Sequence, residues 1–404
     1  MTNNVDLNGS ITRSRQGTNM RIAFLGSYPP RECGIASFMA DLAAAIDQQG
    51  LHTSRIIAID EPGTSRVYPS RVVWQIQQNE CASYSRVAAA VGQSGVDIVS
   101  VQHEYGLFGS QGIEGEMFLN FLQAVPIPVV TTLHSVLPNP SPRFRKVTQA
   151  ISAMSAEIVV PARSAIPLLR DVYDIAPSHI TYIPHGIPMV DRRCGVRRAV
   201  KKRLGYSGRT LISTLGLIRP EKGIEYAIQA LPPIVEHHPE VLFLVLGPTH
   251  PHEIGSLGDS YRDYLQTLVD ELGLRKSVQF VNHHLDLGEV IDYLLATDIY
   301  LIPYLNPEQI VSGTLAYAVG CGKAIIATPF PYAQEVLSDD RGMIVPFRSS
   351  DSISGAVKLL LETPVFKADL ESRAYSFGRT MVWPSVAATY REVFYRHANF
   401  SAKD

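Results

Sequence analysis

Short apolar runs of strand length recur along this chain, and segments with helical periodicity separate them. The first run, Arg21 to Leu25, ends at Gly26 and leads through a loop into an apolar-periodic stretch from Ile35 to Ile46. Further runs predict strands at Ser54 to Ile59, Asp97 to Gln102, Val129 to Leu133 and Glu157 to Val160. Alternating strands and helices are typical of a parallel sheet covered by helices on both faces.

The same layout begins again in the second half of the chain. An apolar run from Thr210 to Leu215 ends at Gly216, and a loop with Pro220 and Gly223 leads into a helix-like stretch from Ile224 to Val235. Further strands are predicted at Val241 to Leu246, Val278 to Val281, Ile299 to Ile302, Ala324 to Ala327 and Gly342 to Val345. Because 404 residues exceed what one core usually organises, we expect two doubly wound, Rossmann-like α/β domains that face each other across a cleft.

Composition and charge narrow the class of protein. The formal net charge of −2 gives no sign of a nucleic-acid partner, which usually requires a strongly basic domain. Residues 1–19 are expected to be a mobile polar tail without a signal peptide, and no apolar run approaches the ~20 residues that span a bilayer. The cysteines show no paired spacing, which argues against a zinc site or disulfides: Cys33, Cys81, Cys194 and Cys321. A cytoplasmic location fits these features.

Two stretches of the second half suit a phosphate group. Arg219 and Lys222 lie three residues apart on the loop after the first strand of this half, beside Gly216. The planar guanidinium of Arg and the flexible ammonium of Lys can bind a diphosphate together. Ser312-Gly313-Thr314 precedes a helix-like run, and the first N–H groups of a helix attract anions. A surface ion pair and an ordinary helix cap are the structural alternatives.

Three histidines follow strand-like runs, at the edge where parallel sheets bind ligands: His103, His134 and His185. Glu104, Glu308 and Glu335 are candidate carboxylates, although no pair has the placement of an acid–base dyad. Gly34, before the first helix, lets the backbone approach a ligand, but its loop is not a GxGxxG dinucleotide fingerprint. No metal-ligand spacing and no Asp-x-Asp motif is present, so we expect no metal. These positions point to a polyhydroxyl or anionic ligand.

A basic segment separates the two halves. Residues 191–203 contain seven Arg and Lys residues in thirteen positions without apolar periodicity. This pattern predicts a solvated linker followed by the solvated face of the next helix, and the alternative is weak attraction to anionic lipid headgroups at a membrane surface.

Together these stretches resemble the retaining family-4 glycosyltransferases of the GT-B fold. The resemblance rests on Tyr-Pro-Pro before Gly34-Ile35, on Ile183-Pro184-His185-Gly186, on Gly216 with Lys222-Gly223, and on the run from Gly322 to Thr328. It implies an acceptor-binding domain over 20–190, a linker over 191–203 and a donor-binding domain over 204–375. It also implies that residues 376–404, with Trp383, form a helix that crosses back onto the first domain.

The resemblance also implies roles for single residues. Arg219 and Lys222 hold the donor diphosphate, and His134 lies near the donor sugar. The family has two glutamates eight positions apart, for the sugar and for the nucleotide ribose; here Gln309, next to Glu308, and Tyr317 occupy those places. His185-Gly186 replaces the usual Asn-Gly pair, and Glu335 matches a late loop glutamate.

The expected activity is metal-independent transfer, with retention, of a hexose from a nucleotide-diphosphate sugar to a saccharide or lipid-linked acceptor, without a cofactor. Arg219, Lys222 and the Ser312 to Thr314 turn stabilise the leaving phosphate, which itself takes the acceptor proton. Because Tyr317 replaces a carboxylate, two alternatives remain open. One is a disaccharide phosphorylase of the same fold that uses phosphate, and the other is a non-catalytic sugar- or nucleotide-binding protein.

Overall fold

Two parallel sheets lie at the centres of two domains. The computed structural model describes residues 20–50, 54–110, 112–113, 115–193, 195–249 and 260–398, so the expected tail at 1–19 and Cys194 lie outside the described residues. The first sheet contains β1 Ile22–Gly26, β2 Arg55–Asp60, β3 Val72–Gln77, β4 Ile98–His103, β5 Val129–Leu133, β6 Glu157–Val160 and β7 Ile180–Tyr182. The second contains β8 Thr210–Leu215, β9 Val241–Leu246, β10 Val278–Val281, β11 Ile299–Ile302, β12 Ala324–Ala327 and β13 Met343–Ile344.

Both sheets are doubly wound. The first has the order β3-β2-β1-β4-β5-β6-β7 and the second β10-β9-β8-β11-β12-β13, and the strand pairs that the structure describes are all parallel. The strand order reverses between β1 and β4 and again between β8 and β11. Such reversals open a crevice at the carboxyl ends of the strands. The predicted fold class of two Rossmann-like domains is confirmed.

Helices cover both sheets. In the first domain they are α1 Gly34–Gln49, α2 Cys81–Gln93, α3 Met117–Ala124, α4 Pro142–Met154 and α5 Ala165–Asp171. The rest are α6 Val196–Arg203, α7 Ile224–Gln229, α8 Pro232–Val235, α9 Ser260–Glu271, α10 Leu287–Ala296, α11 Gly313–Gly320, α12 Pro331–Val336, α13 Ser350–Glu362, α14 Pro364–Gly378 and α15 Trp383–His397. Single 3-10 turns lie at Tyr105–Leu107, Pro177–His179, Pro220–Lys222 and Arg379–Met381.

The sequence patterns did not predict edge strand β3 of the first sheet, and for β7, the other edge strand, they marked only the strand-like run Tyr182-Ile183-Pro184 before His185. In β3 only Ile76 is buried, and in β7 only Ile180 is buried. The prediction relied on continuous apolar runs, which mark strands covered on both faces. Edge strands are less covered, so their sequences carry a weaker signal.

Helix α15 packs on the first domain although it follows the second domain in sequence. The chain returns through Ile187, whose backbone exchanges hydrogen bonds with Met381 and Trp383 at 3.0 and 2.9 Å. The Tyr390 hydroxyl lies 3.0 Å from the Thr132 hydroxyl, and helix α15 packs along α1. Each buried aromatic side chain contributes about 1.5–3 kcal/mol, so this helix holds the two domains together.

The basic segment at 191–203 contains the first helix of the second half, as the sequence pattern suggests. Its second half forms helix α6, and five of its cations pair with acidic groups: Arg192 and Arg197 with Glu371, Arg193 with Asp191, Lys201 with Asp298, and Arg203 with Asp292. None of the helices in the described ranges is long and apolar enough to cross a bilayer.

Candidate active site

A cavity of about 910 Å³ lies between the carboxyl ends of the two sheets. Its volume falls in the range of small-molecule sites. Twelve of the fifteen predicted site residues line it: Gly34, Glu104, His134, His185, Gly216, Arg219, Lys222, Glu308, Gln309, Gly313, Thr314 and Tyr317. We call its residues between 29 and 185 the N-terminal wall, and those between 215 and 317 the C-terminal wall.

The loop after β8 presents two cations to the cavity. The Lys222 ammonium lies 3.6 Å from the centre of the Tyr304 ring, which fixes its position. The Arg219 side chain is 41% exposed, and its Nε lies 3.4 Å from the Glu221 carboxylate. Gly223 follows with φ +60°, where a Cβ would come 2.2 Å from the Pro303 carbonyl oxygen. Only glycine fits that position, so the close approach of Pro303 requires glycine at the end of this loop.

The start of helix α11 lies beside these cations. Ser312 is the N-cap residue, and its hydroxyl accepts a hydrogen bond from the Leu315 N–H at 3.3 Å. It is buried and does not line the cavity, so the direct ligand contact predicted for Ser312 is replaced by a capping role. Gly313 and Thr314 do line the cavity, and the Thr314 hydroxyl lies 3.0 Å from the Tyr304 hydroxyl.

Gln309 and Tyr317, at the two positions where the resemblance implies glutamates, line the cavity. The Gln309 amide donates to the Val311 carbonyl at 3.0 Å. Tyr317 is half-buried, with its ring 5.7 Å from that of His185 and nearly perpendicular to it. Burial raises the pKa of Tyr317, and so does the nearby Asp41 carboxylate. The phenol is therefore a neutral hydrogen-bonding group.

Glu308 connects the two walls. Its carboxylate accepts a hydrogen bond from the Asn139 amide of the first domain at 2.9 Å. The site therefore includes a direct polar contact across the cleft.

His134 and His185 are buried and neutral. His134 Nε2 lies 2.9 Å from the Gln102 side-chain oxygen, and burial lowers the pKa of His134 to about 3. His185 Nδ1 lies 2.8 Å from the Gly186 carbonyl oxygen, and burial lowers its pKa to about 4. Both rings pack edge-on against Phe38 of helix α1. Uncharged rings of this kind bind hydroxyl groups and do not act as cations.

Two predicted sugar-binding residues do not reach the cavity. His103 is fully buried, stacked on Phe108 at 5.2 Å, and burial lowers its pKa to about 3. Glu335 accepts hydrogen bonds from the Arg163 and Ser164 N–H groups, both at 2.9 Å. Its carboxylate therefore joins the second domain to the first, outside the cavity.

Asp41 is a cavity residue that the sequence analysis missed. It lies seven residues after Gly34 on helix α1, so both face the cleft with Phe38 between them. It makes no hydrogen bond or ion pair with any described residue, and burial raises its pKa to about 6. Its helical spacing from Gly34 was the available signal, but an acidic residue in an amphipathic helix usually faces solvent.

Metal-binding clusters are absent from the part of the chain that the structure describes. No group of three or more His, Cys, Asp or Glu side chains there is arranged to hold an ion. The thiols of Cys33, Cys81 and Cys321 are free.

Comparison with family models divides the chain at the same place as the fold. Residues 33–190 match the family described as glycosyltransferase family 4, and residues 196–377 match glycosyl transferases group 1. Each match covers one of the two Rossmann-like domains.

Curated relatives share part of their length with this chain. A D-inositol 3-phosphate glycosyltransferase of Rhodococcus erythropolis is 22% identical over 65% of this chain and 61% of its own length. A phosphatidyl-myo-inositol mannosyltransferase of Mycolicibacterium smegmatis is 28% identical over 47% of this chain and 46% of its own. The chain thus spans about half to three fifths of these two relatives.

A solved structure shows the same fold over the whole chain. Anabaena HepE in complex with UDP matches with a TM-score of 0.72 at 14% identity, over 93% of this chain and 100% of that one. The two family models, together with the paired sheets and the cleft, confirm the resemblance seen in the sequence. The chain belongs to the group 1, family 4 glycosyltransferases of the GT-B fold.

Proposed function

We propose that this protein is a retaining, metal-independent glycosyltransferase that moves a hexose from a nucleotide-diphosphate sugar to a saccharide or lipid-linked acceptor. The observation that carries the proposal is the convergence of Arg219, Lys222 and the start of helix α11 on one side of the cavity, opposite His134. Two cations and the N-terminus of a helix are groups that together bind the negative charge of a diphosphate. The name of the mannosyltransferase relative and the UDP in the HepE structure support a nucleotide-activated hexose.

The donor occupies the C-terminal wall in this proposal. Arg219 and Lys222 hold the diphosphate, and Tyr317 offers its hydroxyl to the ribose where related proteins have a carboxylate. A phenol makes fewer hydrogen bonds than a carboxylate that accepts from two hydroxyls. We therefore expect weaker nucleoside binding than a glutamate gives. The hexose extends toward His134, whose neutral ring contacts its hydroxyls.

The acceptor lies on the N-terminal wall and attacks on the face that the phosphate leaves. The bond between the anomeric carbon and the phosphate oxygen breaks, and its electron pair leaves with the nucleoside diphosphate. The acceptor oxygen then bonds to that carbon and gives its proton to the departing phosphate. Lys222 and Arg219 neutralise the growing charge, so the protein acts by positioning and electrostatics.

Product stereochemistry and metal dependence test this mechanism. With the active donor, NMR of the product is expected to show the donor's own anomeric configuration, and excess EDTA is expected to leave the rate unchanged. An inverted product would rule out same-face attack, and loss of activity in EDTA that Mg²⁺ restores would rule out metal independence.

Tyr317 favours a second candidate, a phosphorylase that needs no nucleotide. A thermal-shift screen separates the two, because a ligand that binds only the folded state raises the melting temperature. Stabilisation by a nucleoside diphosphate or its sugar supports the transferase. Stabilisation by sugar phosphates or phosphate alone, with release of sugar phosphate from a disaccharide, supports the phosphorylase.

A further inference from the structure

The two walls of the cleft carry opposite charge. On the C-terminal wall, Arg219 and Lys222 face the cavity together with one carboxylate, Glu308. On the N-terminal wall the charged residues are Glu32, Asp41 and Glu104, and no Lys or Arg occurs among its described lining residues. The acceptor half of the cleft is therefore acidic.

Neighbouring groups do not offset this acidity. His134 and His185 line the same wall, and burial lowers their pKa values to about 3 and 4, so they carry no charge at neutral pH. Arg31, adjacent to Glu32 in sequence, forms an ion pair with Glu61 at 2.8 Å and does not line the cavity. Among the described residues, Glu32 lies 4.0 Å from the His284 ring of the opposite wall, which carries a charge only when it is protonated.

The inner carboxylates have hydrogen-bonding capacity to spare. Glu104 accepts from the Tyr105 N–H at 3.0 Å and from the Ser135 hydroxyl, and neither donor is charged. Asp41 has no partner among the described residues. A half-buried carboxylate without a cation is costly unless donors reach it. Sugar hydroxyls are such donors, whereas a phosphate group would bring a second negative charge.

We infer that the acceptor entering this cleft is an uncharged, hydroxyl-rich sugar held by Asp41 and Glu104, and that acceptors phosphorylated on that sugar are excluded. The inference rests on the proposed function and narrows its acceptor. The inferred acceptor differs from the phosphorylated compound in the name of the D-inositol 3-phosphate glycosyltransferase relative.

Matched acceptors test the inference. Glucose, mannose and myo-inositol are each compared with their monophosphates, namely glucose 6-phosphate, mannose 6-phosphate and inositol 3-phosphate. We expect at least one uncharged member to bind and to exceed its phosphorylated counterpart in kcat/KM by about 30-fold or more. Equal or better use of the phosphorylated member overturns the inference, as does a panel in which no uncharged member binds.

Direct binding separates this outcome from failure of the proposed function. Calorimetry with the full chain and each acceptor, without donor, measures the preference whether or not transfer occurs. Binding and slow hydrolysis of the nucleotide sugar test the donor half independently. If the protein binds no nucleotide sugar but prefers the uncharged acceptor, the proposed transferase activity is wrong, and the N-terminal wall is still the sugar-binding surface.

Charge-removing variants assign the effect to single residues. Asp41→Asn and Glu104→Gln keep the side-chain shape, and each is expected to raise the KM for the uncharged acceptor about tenfold and to narrow discrimination against its phosphate. The KM for the acceptor is expected to rise by a larger factor than the KM for the donor. Glu80→Gln, an exposed carboxylate of the same domain outside the cavity, is the control. A rise in donor KM without a change in acceptor KM places Asp41 at the nucleotide and overturns its assignment.

Discussion

The two walls of the cleft come from domains of the same architecture but differ in how their groups are positioned. On the C-terminal wall, a short loop and a helix start hold Arg219 and Lys222, and glycine geometry and an aromatic ring fix the loop. On the N-terminal wall, the carboxylates of Asp41 and Glu104 come from a helix face and a strand end that are distant in sequence. The two cations of the C-terminal wall therefore come from one short loop that Pro303 and Tyr304 of the same domain hold in place, whereas the two carboxylates of the N-terminal wall come from separate elements.

Removing the Lys222 ammonium tests the cationic wall most strongly. Lys222→Ala deletes a charge held near the proposed leaving group, so we expect kcat/KM to fall by about 10²–10³, in the range seen when one transition-state donor is lost. Initial rates of nucleoside diphosphate release measure the effect. Lys202→Ala, an exposed lysine of helix α6, is the control and is expected to keep full activity. A loss below threefold at Lys222 would remove this wall from catalysis.

The loop geometry itself gives the second prediction. Gly223→Ala places a Cβ against the Pro303 carbonyl at a positive φ, so we expect destabilisation of about 3 kcal/mol. Gly273→Ala is the matched control, since Gly273 also has a positive φ of +68° but nothing within 4 Å of the added Cβ. It is expected to cost about 1 kcal/mol. Urea denaturation of both variants measures the difference in the free energy of unfolding. Equal destabilisation of the two variants would show that the backbone around Gly223 moves to accommodate the added Cβ.

Contact between the domains is tested at Glu335. Glu335→Ala removes the acceptor of two backbone N–H groups at the start of helix α5, which we expect to cost about 1–3 kcal/mol in domain closure. The KM values for donor and acceptor should rise together, because the closed cleft binds both. Glu392→Gln, an exposed carboxylate of helix α15, serves as control. A change in only one KM would assign Glu335 to a single substrate.

Removing the Asp41 charge from the N-terminal wall is expected to stabilise the protein at neutral pH more than at acidic pH, and this is the smallest of the expected effects. Burial raises the pKa of Asp41 to about 6 from 3.8, so the folded chain holds this proton more tightly than the unfolded chain. Wild-type stability therefore falls as pH rises from about 4 to 6. Asp41→Asn escapes this loss and is expected to be more stable at pH 7.5 by roughly 1–2 kcal/mol, after allowance for solvent screening.

Urea denaturation at pH 7.5 and pH 4 checks this result, with Glu392→Gln again as control. The gain is expected to shrink at pH 4, where the Asp41 carboxyl of the folded wild type is protonated. An equal gain at both pH values would show that desolvation of the carboxylate is not its cause. If Asp41→Asn is more stable and binds the acceptor more weakly, Asp41 contributes to acceptor binding and lowers the stability of the folded chain.

Much of the architecture could be read from local patterns. β8, β9, β11 and β12 lie where apolar runs predicted them, because strands buried on both faces need continuous apolar residues. The glycine turn at Gly216 and the spacing of Arg219 and Lys222 placed the cationic loop in the same way. Edge strand β3 and the acidic residue Asp41 were missed, because a partly exposed strand and a helix-face carboxylate look like ordinary surface.

The sequence by itself determined the two sheets and the position of Arg219 and Lys222 on one loop, since strands and loops are recognised from residues close together in the chain. Only the tertiary structure decided that Asp41 faces the cavity, that His103 is buried in an aromatic cluster and that Glu335 bonds the backbone of the other domain. The physical reason is that a polar side chain gains its environment from elements far away in sequence. No local pattern records which element comes to lie against it.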